Sequence, residues 1–298
     1  MNFIIESDKG YSGLKNLGNT CFLNSCIQIL SHTHELQRFL LDTPHPEDAD
    51  AKLLKREYCD IIQLMWSQNC IVTPGRFVFV VHAIARNKNK ELFTGFSQND
   101  ATEFLQFLMD CFVGTEKIFY GKVVSTICSV VEGVPSIVSK QSEPFFILNI
   151  PIPGGGGGAP PTMNDCISKF TEHEILDGEN KWYNEKTKQY EDAIKSYDFE
   201  EFPPILVITL KRFNNIHKNE ILVKFDEILE IKDARYELYG VCNHMGNAFF
   251  GHYTAFVKHI LGGQWIHYND HVVEKVPEFS NIVSPHAYCF FYRRMTTQ

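Results

Sequence analysis

Apolar residues recur at helical spacing through the opening part of the chain. Leu23, Cys26, Ile27 and Leu30 stand at i, i+3, i+4 and i+7, which predicts a helix directly after a loop rich in glycine and asparagine, Gly13 to Asn19. Asn19 or Thr20 can cap that helix. Leu54, Tyr58, Ile61, Ile62 and Met65 predict a second helix. Thr73 and Pro74 read as the cap and first residue of a third, whose body carries Phe77, Val80, Val81 and Ile84. Ala101, Phe104, Leu105, Leu108, Met109 and Phe112 form the stripe of a fourth, with Ser97 and Asp100 as its capping box. The pattern then changes. Lys122 to Val131 is rich in valine and isoleucine, and Phe145 to Ile150 reads as a strand stopped by Pro151 and Pro153. Ile205 to Leu210 is a continuous apolar run, as in a central strand. Further strands are predicted at Tyr236 to Val241, His252 to Val257, Trp265 to Tyr268 and Ala287 to Tyr292. Asp42 to Asp48 and the glycine run Gly154 to Gly158 read as surface loops. Helices first and sheet later is the pattern of an α+β domain.

Composition narrows the class. A chain of 298 residues that is 44% hydrophobic and 13% aromatic can bury a large core. It has no apolar run of the roughly 18 residues that a membrane span needs. Met1 to Gly10 carries Glu6, Asp8 and Lys9 and no secretory apolar stretch. Nine scattered cysteines are no disulfide framework and fit a reducing, intracellular compartment. A net charge of -8 argues against nucleic acid and is compatible with a basic protein partner.

Chemistry concentrates at a few positions. Cys21 falls in the first turn of the first helix, where unpaired N–H groups and the helix dipole favour a thiolate. A lone cysteine is more often a small buried apolar residue, so context elsewhere must decide. His252 follows Gly251 at a strand start, where it can face a cleft or be a satisfied strand-end histidine. Asn269 and Asp270 follow another strand; either can orient an imidazole, and both also suit a turn. Asn16, five residues before Cys21, has an amide that can donate to an oxyanion. A cysteine and a histidine far apart in sequence and joined by the fold are how cysteine hydrolase sites are built.

Five stretches in order resemble the boxes of the ubiquitin-specific protease family. They are Gly13 to Ser25, Gln98 to Leu105, Pro203 to Phe213, Gly251 to Ala255 and Trp265 to Val272, and the closing strand Ala287 to Tyr292 also matches. The resemblance spans nearly the whole chain. It implies one papain-like catalytic domain over 1–298, with a helical thumb over about 11–115 and β fingers and palm over about 116–298. It implies a thiol protease that cleaves after the C-terminal glycine of ubiquitin. Cys21 is the nucleophile, His252 the base, Asn269 or Asp270 the orienting group and Asn16 an oxyanion donor. Asp100 grips the ubiquitin tail, with Gln98, Glu103, Phe213, Gly251 and Tyr253 also contacting substrate. Asn214 to Glu220 and Asn243 to Phe250 match loops that close over the tail. The implied partners are ubiquitin and ubiquitinated proteins, with no nucleic acid or membrane, for a monomer in cytoplasm or nucleus that needs no cofactor. A protease for another ubiquitin-like modifier, or a pseudoenzyme that binds without cutting, are the alternatives. There are two departures. Asn269 stands where aspartate is commoner. The fingers of the family often carry two Cys-x-x-Cys pairs for zinc. Here those positions read Cys128 to Val131 and Asn184 to Thr187, leaving one thiol, so no metal is expected unless Cys166 and His173 substitute. Finger strands are then expected to hold by pairing and by apolar packing of Val123, Val124, Ile127 and Val130.

Overall fold

A computed structural model describes residues 7–88, 92–93, 97–131, 134–154, 158–214 and 217–295, with backbone only at 130–131 and 134–135. The middle of the Gly154 to Gly158 run lies outside the described residues, as do parts of the Met1 to Gly10 and Asn214 to Glu220 segments. The four foreseen helices form as Cys21–Ser31, Ala49–Ser67, Gly75–Asn87 and Ala101–Cys111. Helices His34–Asp42 and Met163–Thr171 were not legible, although the second carries a complete capping box of Thr162 and Asp165.

The helix Cys21–Ser31 organises the molecule. The apolar spacing predicted one buried stripe, but all eleven of its residues are buried. The reason is its position: the sheet lies on one side, through strands Gly251–Lys258 and Ala234–Gly246, and helix Ala101–Cys111 on another. Its buried side-chain donors find partners, Gln28 Nε2 donating to Ser12 O at 2.8 Å and Ser31 Oγ to Gln28 O at 2.7 Å, while Asn24 Oδ1 and Gln28 Oε1 are buried without one. Thr20 is the N-cap residue but does not cap; its hydroxyl accepts the Leu17 N–H at 2.9 Å. Likewise Asp100 is itself the N-cap of Ala101–Cys111, so Ser97 plays no part in a capping box.

The palm is an eight-stranded sheet. Its order is Val272–Lys275, Trp265–Asn269, Gly251–Lys258, Ala234–Gly246, Ala287–Arg294, Ile205–Leu210 and Ile147–Ile150, with Ile228–Ile231 also paired to Ala234–Gly246. Ile205–Leu210 is buried at all six positions because it is covered on both faces. Ile205 and Val207 join the thumb-side core, while Leu206, Ile208 and Leu210 join a second core with Met163, Cys166 and Ile167. The foreseen strand Phe145 to Ile150 is cut at Phe146: Val134–Phe145 belongs to the fingers and Ile147–Ile150 to the palm. The fingers are the sheet Val134–Phe145, Gly121–Val131, Ala193–Glu201 and Glu174–Leu176, with a hairpin of Trp182–Asn184 and Gln189–Glu191. All nine cysteines are free thiols. Among the described residues no helix is long and apolar enough to cross a membrane.

Candidate active site

Cys21 begins the buried helix and is itself 3% exposed. Its surroundings oppose the pull of the helix N-terminus toward a thiolate. Burial pushes its thiol up, and the nearby Asp270 carboxylate adds to that push. Backbone N–H groups of Tyr253, Phe22 and Cys21 pull the other way without prevailing. The helix that Cys21 begins packs against strand Gly251–Lys258, the strand that carries His252 and Tyr253.

His252 Nε2 lies 2.7 Å from Asn269 Oδ1, across two neighbouring strands of the palm. An amide oxygen only accepts, so with the amide in this orientation Nε2 carries the proton. Nδ1 is then the basic nitrogen. Asp270 does not share this contact. It adopts φ +51° and turns its carboxylate to the other wall: Oδ2 accepts from Asn16 Nδ2 at 3.0 Å and Oδ1 from Asn24 Nδ2 at 2.8 Å. Its carbonyl accepts the Leu14 N–H at 2.8 Å. The turn presses close to the thumb here; a Cβ on Gly13 would meet His271 O at 2.4 Å, so only glycine fits. Asn16 Oδ1 accepts the N–H groups of Gly18 and Thr20 at 3.0 and 3.2 Å, which fixes its amide with one hydrogen on Asp270 and the second free to donate elsewhere.

A narrow cleft between thumb and palm is lined by Gln98, Asn99, Asp100, Phe213, His244, residues 247–250, Gly251 and Tyr253. Asp100 is engaged on both oxygens. Oδ1 caps the helix through the Thr102 and Glu103 N–H groups at 2.7 and 3.3 Å. Oδ2 accepts the hydroxyls of Tyr253 and Tyr288 at 3.2 and 3.0 Å. Gln98 Oε1 accepts the Gly251 N–H at 2.7 Å, a bond from thumb to palm. Phe213 packs edge-on against Tyr288 and His244. Glu103 stands exposed on the first helical turn, outside this lining. Of the foreseen loop Asn243 to Phe250, the first four residues belong to strand Ala234–Gly246, and only residues 247–250 form a loop, with Phe249 and Phe250 largely exposed.

The parts played by Asn24 and Tyr288, which hold Asp270 and Asp100, were missed by sequence reasoning, and His244 was included only as a member of the Asn243 to Phe250 segment. Asn24 was detectable: a polar residue inside an apolar helix, three places after Cys21, needs a buried partner. His244 is 5% exposed, and burial with the Lys218 ammonium holds it neutral, lowered to about 4. Nothing in its local sequence marked it.

At the finger positions where zinc ligands were considered, the donors do not suit a metal. Asn184 Nδ2 and Thr187 Oγ1 are both committed to the Glu191 carboxylate, at 3.0 and 2.5 Å. Cys166 does not substitute, because it is fully buried in the back core of the palm with its thiol pushed up to about 11. His173 lies in a separate surface pocket with Lys169 and Tyr197. Among the described residues no three His, Cys, Asp or Glu side chains are grouped to hold a metal ion.

A cysteine at the head of a buried helix, facing a sheet that carries a hydrogen-bonded histidine and asparagine, is the papain-like arrangement of helical thumb and β palm. The chain belongs to the ubiquitin carboxyl-terminal hydrolase family, whose model matches residues 12–292. It is 30% identical to human ubiquitin carboxyl-terminal hydrolase 2 over 347 residues, covering 96% of this chain and 56% of that protein. It is 29% identical to Drosophila melanogaster Usp2, covering 97% of this chain and 35% of the relative. The Gallus gallus protein of the same name as the human one is 31% identical, with 95% and 93% covered. The chain thus spans about a third to just over half the length of several curated relatives. Among solved structures it resembles Ubp8 in a SAGA DUB module bound to monoubiquitin, with TM-score 0.80, 26% identity, and 100% of this chain and 72% of that chain covered.

Proposed function

We propose that this protein is a deubiquitinating thiol protease, cleaving the isopeptide or peptide bond after the C-terminal glycine of ubiquitin. The observation that carries the reading is the pair His252–Asn269, held 2.7 Å apart, with His252 on the strand Gly251–Lys258 that packs against the helix begun by Cys21. The cleft supports it, being walled by Asp100, Gln98, Phe213, Gly251 and Tyr253. The structural neighbour Ubp8 is itself described bound to monoubiquitin.

In this reading His252 Nδ1 takes the Cys21 proton when substrate is seated. The thiolate attacks the carbonyl of the last glycine. The free amide hydrogen of Asn16 and backbone N–H groups at the head of the helix stabilise the oxyanion. The imidazolium protonates the leaving amine, and water releases the acyl enzyme. Asn269 holds the ring; Asp270 holds Asn16 and the helix rather than the ring. The domain is a single catalytic unit over 1–298 acting on ubiquitinated proteins inside the cell, as a monomer.

The test is covalent capture by ubiquitin bearing a C-terminal electrophile, set beside a panel of ubiquitin-like modifiers. Capture of ubiquitin by the wild type and none by Cys21→Ala supports the reading. Capture of a different modifier instead would reassign the substrate. Binding without capture, together with no turnover of a ubiquitin–fluorophore amide, would make the chain a pseudoenzyme. Cys21→Ala is expected to lower turnover by about 10³-fold or more with ubiquitin binding retained.

A further inference from the structure

The fingers hold an arrangement that the catalytic reading does not use. Glu191 ends the hairpin strand Gln189–Glu191 and receives three side-chain donors. Ser129 Oγ donates to Oε2 at 3.1 Å, Asn184 Nδ2 to Oε2 at 3.0 Å and Thr187 Oγ1 to Oε1 at 2.5 Å. Asn184 and Ser129 are both buried, at 6% and 3% exposure. Asn184 Oδ1 in turn accepts the Lys186 N–H at 2.9 Å, which closes the hairpin turn. The donors come from two segments. Ser129 adjoins Cys128 on strand Gly121–Val131, while Asn184 and Thr187 lie on the hairpin. These are the segments that the family resemblance aligns with its paired zinc ligands, Cys128 to Val131 and Asn184 to Thr187.

We propose that the Glu191 carboxylate is a side-chain cross-link of the fingers, fixing the hairpin to strand Gly121–Val131 beyond the strand pairing of Ser129 with Ala193, in place of a metal, and so positioning the finger surface for ubiquitin's body. The proposal rests on the deubiquitinase reading for its last clause only. An ionised carboxylate accepts several hydrogen bonds at once, and charge-assisted bonds are the stronger kind. The three donors hold the carboxyl below its usual range, led by Asn184, so it stays ionised across the neutral range. Apolar packing does not do this work alone: Val123 is buried, but Val124 and Ile127 are only half-buried. Glu191 is a positioning residue, far from Cys21 in its contacts.

The experiment compares the full chain with Glu191→Gln, Glu191→Ala and Thr187→Ala. Hydrogen exchange should quicken about tenfold or more in residues 182–191 while the helix Cys21–Ser31 keeps its protection. On a ubiquitin–fluorophore amide, KM should rise about fivefold or more with kcat within about twofold. Iodoacetamide labelling of Cys21 should be unchanged, and Glu191→Asp should recover part of the lost affinity. A strong chelator should leave the melting temperature of the wild type unmoved. Unchanged exchange in the hairpin of Glu191→Ala, or stoichiometric zinc whose removal lowers the melting temperature, would overturn the proposal. If the wild type fails to turn over the amide, the deubiquitinase reading falls, while the exchange measurement still decides the cross-link. Should Glu191→Ala not fold, Thr187→Ala, which removes one donor only, carries the same comparison.

Discussion

Asn269 Oδ1 sits 2.7 Å from His252 Nε2 and fixes which nitrogen of the ring is basic. The amide is neutral, so it orients the ring without stabilising the imidazolium as a carboxylate does. Asn269→Ala is therefore expected to lower kcat about tenfold or more with KM little changed. Asn269→Asp places a charge on the imidazolium side of the equilibrium and raises the histidine pKa. The acidic limb of kcat/KM should then move to higher pH. An unmoved limb in Asn269→Asp would show that Asn269 does not contact the catalytic ring.

Asp270 should behave differently although it is the next residue. Its carboxylate accepts from Asn16 and Asn24, on the loop and helix that present Cys21. Asp270→Ala should lower both kcat and the melting temperature, whereas Asn269→Ala should leave melting nearly unchanged. Asp270 also pushes the Cys21 thiol up, so its removal should shift alkylation of Cys21 to lower pH. Loss of activity with neither a melting change nor a shifted alkylation profile would instead place Asp270 on the imidazole.

Much of this was legible because the periodicities are strong. The stripes of Leu54 to Met65 and Ala101 to Phe112 gave their helices, and the run Ile205 to Leu210 gave the central strand. Motif order proposed Cys21, His252 and Asn269 as a set, and of that set the structure shows the His252–Asn269 contact. What sequence did not resolve was the partner of each polar group. Asn269 and Asp270 have similar local chemistry, and only the positive φ at Asp270 sends the two side chains to opposite walls. The burial that opposes a thiolate at Cys21 was not legible for the same reason. A helix N-terminus favours a thiolate, but the burial around it comes from the sheet and helices packed on that helix, which local spacing does not encode. Glu191 carried no motif at all.

The resting state of Cys21 gives a pH prediction. A thiol pushed up by burial is neutral in the free enzyme at pH 7. Iodoacetamide labelling of the free enzyme should therefore rise with pH and have its midpoint above that of an ordinary cysteine, about 8.5. The sign for stability follows. Below its unfolded pKa the thiol is protonated in both states; between the unfolded and the raised folded pKa the unfolded chain gives up the proton first, so the folded state loses stability as pH rises through that range. Cys21→Ala should remove this alkaline loss, so the variant should gain in relative stability above about pH 9. A labelling midpoint below neutrality would show a thiolate–imidazolium pair already formed at rest.

Asp100 supplies the last test, because its two oxygens do separable work. Oδ1 caps helix Ala101–Cys111, and Oδ2 takes the hydroxyls of Tyr253 and Tyr288 at the cleft wall. Asparagine is as good an N-cap as aspartate, so Asp100→Asn keeps the helix start and removes the charge. Asp100→Ala removes both and should destabilise by about 0.5–2 kcal/mol through the lost cap alone. If the charge grips a basic ubiquitin tail, Asp100→Asn should weaken ubiquitin capture by about 2 kcal/mol or more, close to the full effect of Asp100→Ala. Tyr288→Phe frees Oδ2 from one hydroxyl and leaves the charge in place. It should change capture far less than Asp100→Asn. Equal kcat/KM for Asp100→Asn and wild type, with reduced melting confined to Asp100→Ala, would leave Asp100 as a cap and nothing more. In Asp100→Asn an amide NH2 stands where Oδ2 accepted, so the Tyr253 and Tyr288 hydroxyls must turn to accept from it, and Tyr288→Phe is the control that separates this rearrangement from the loss of charge.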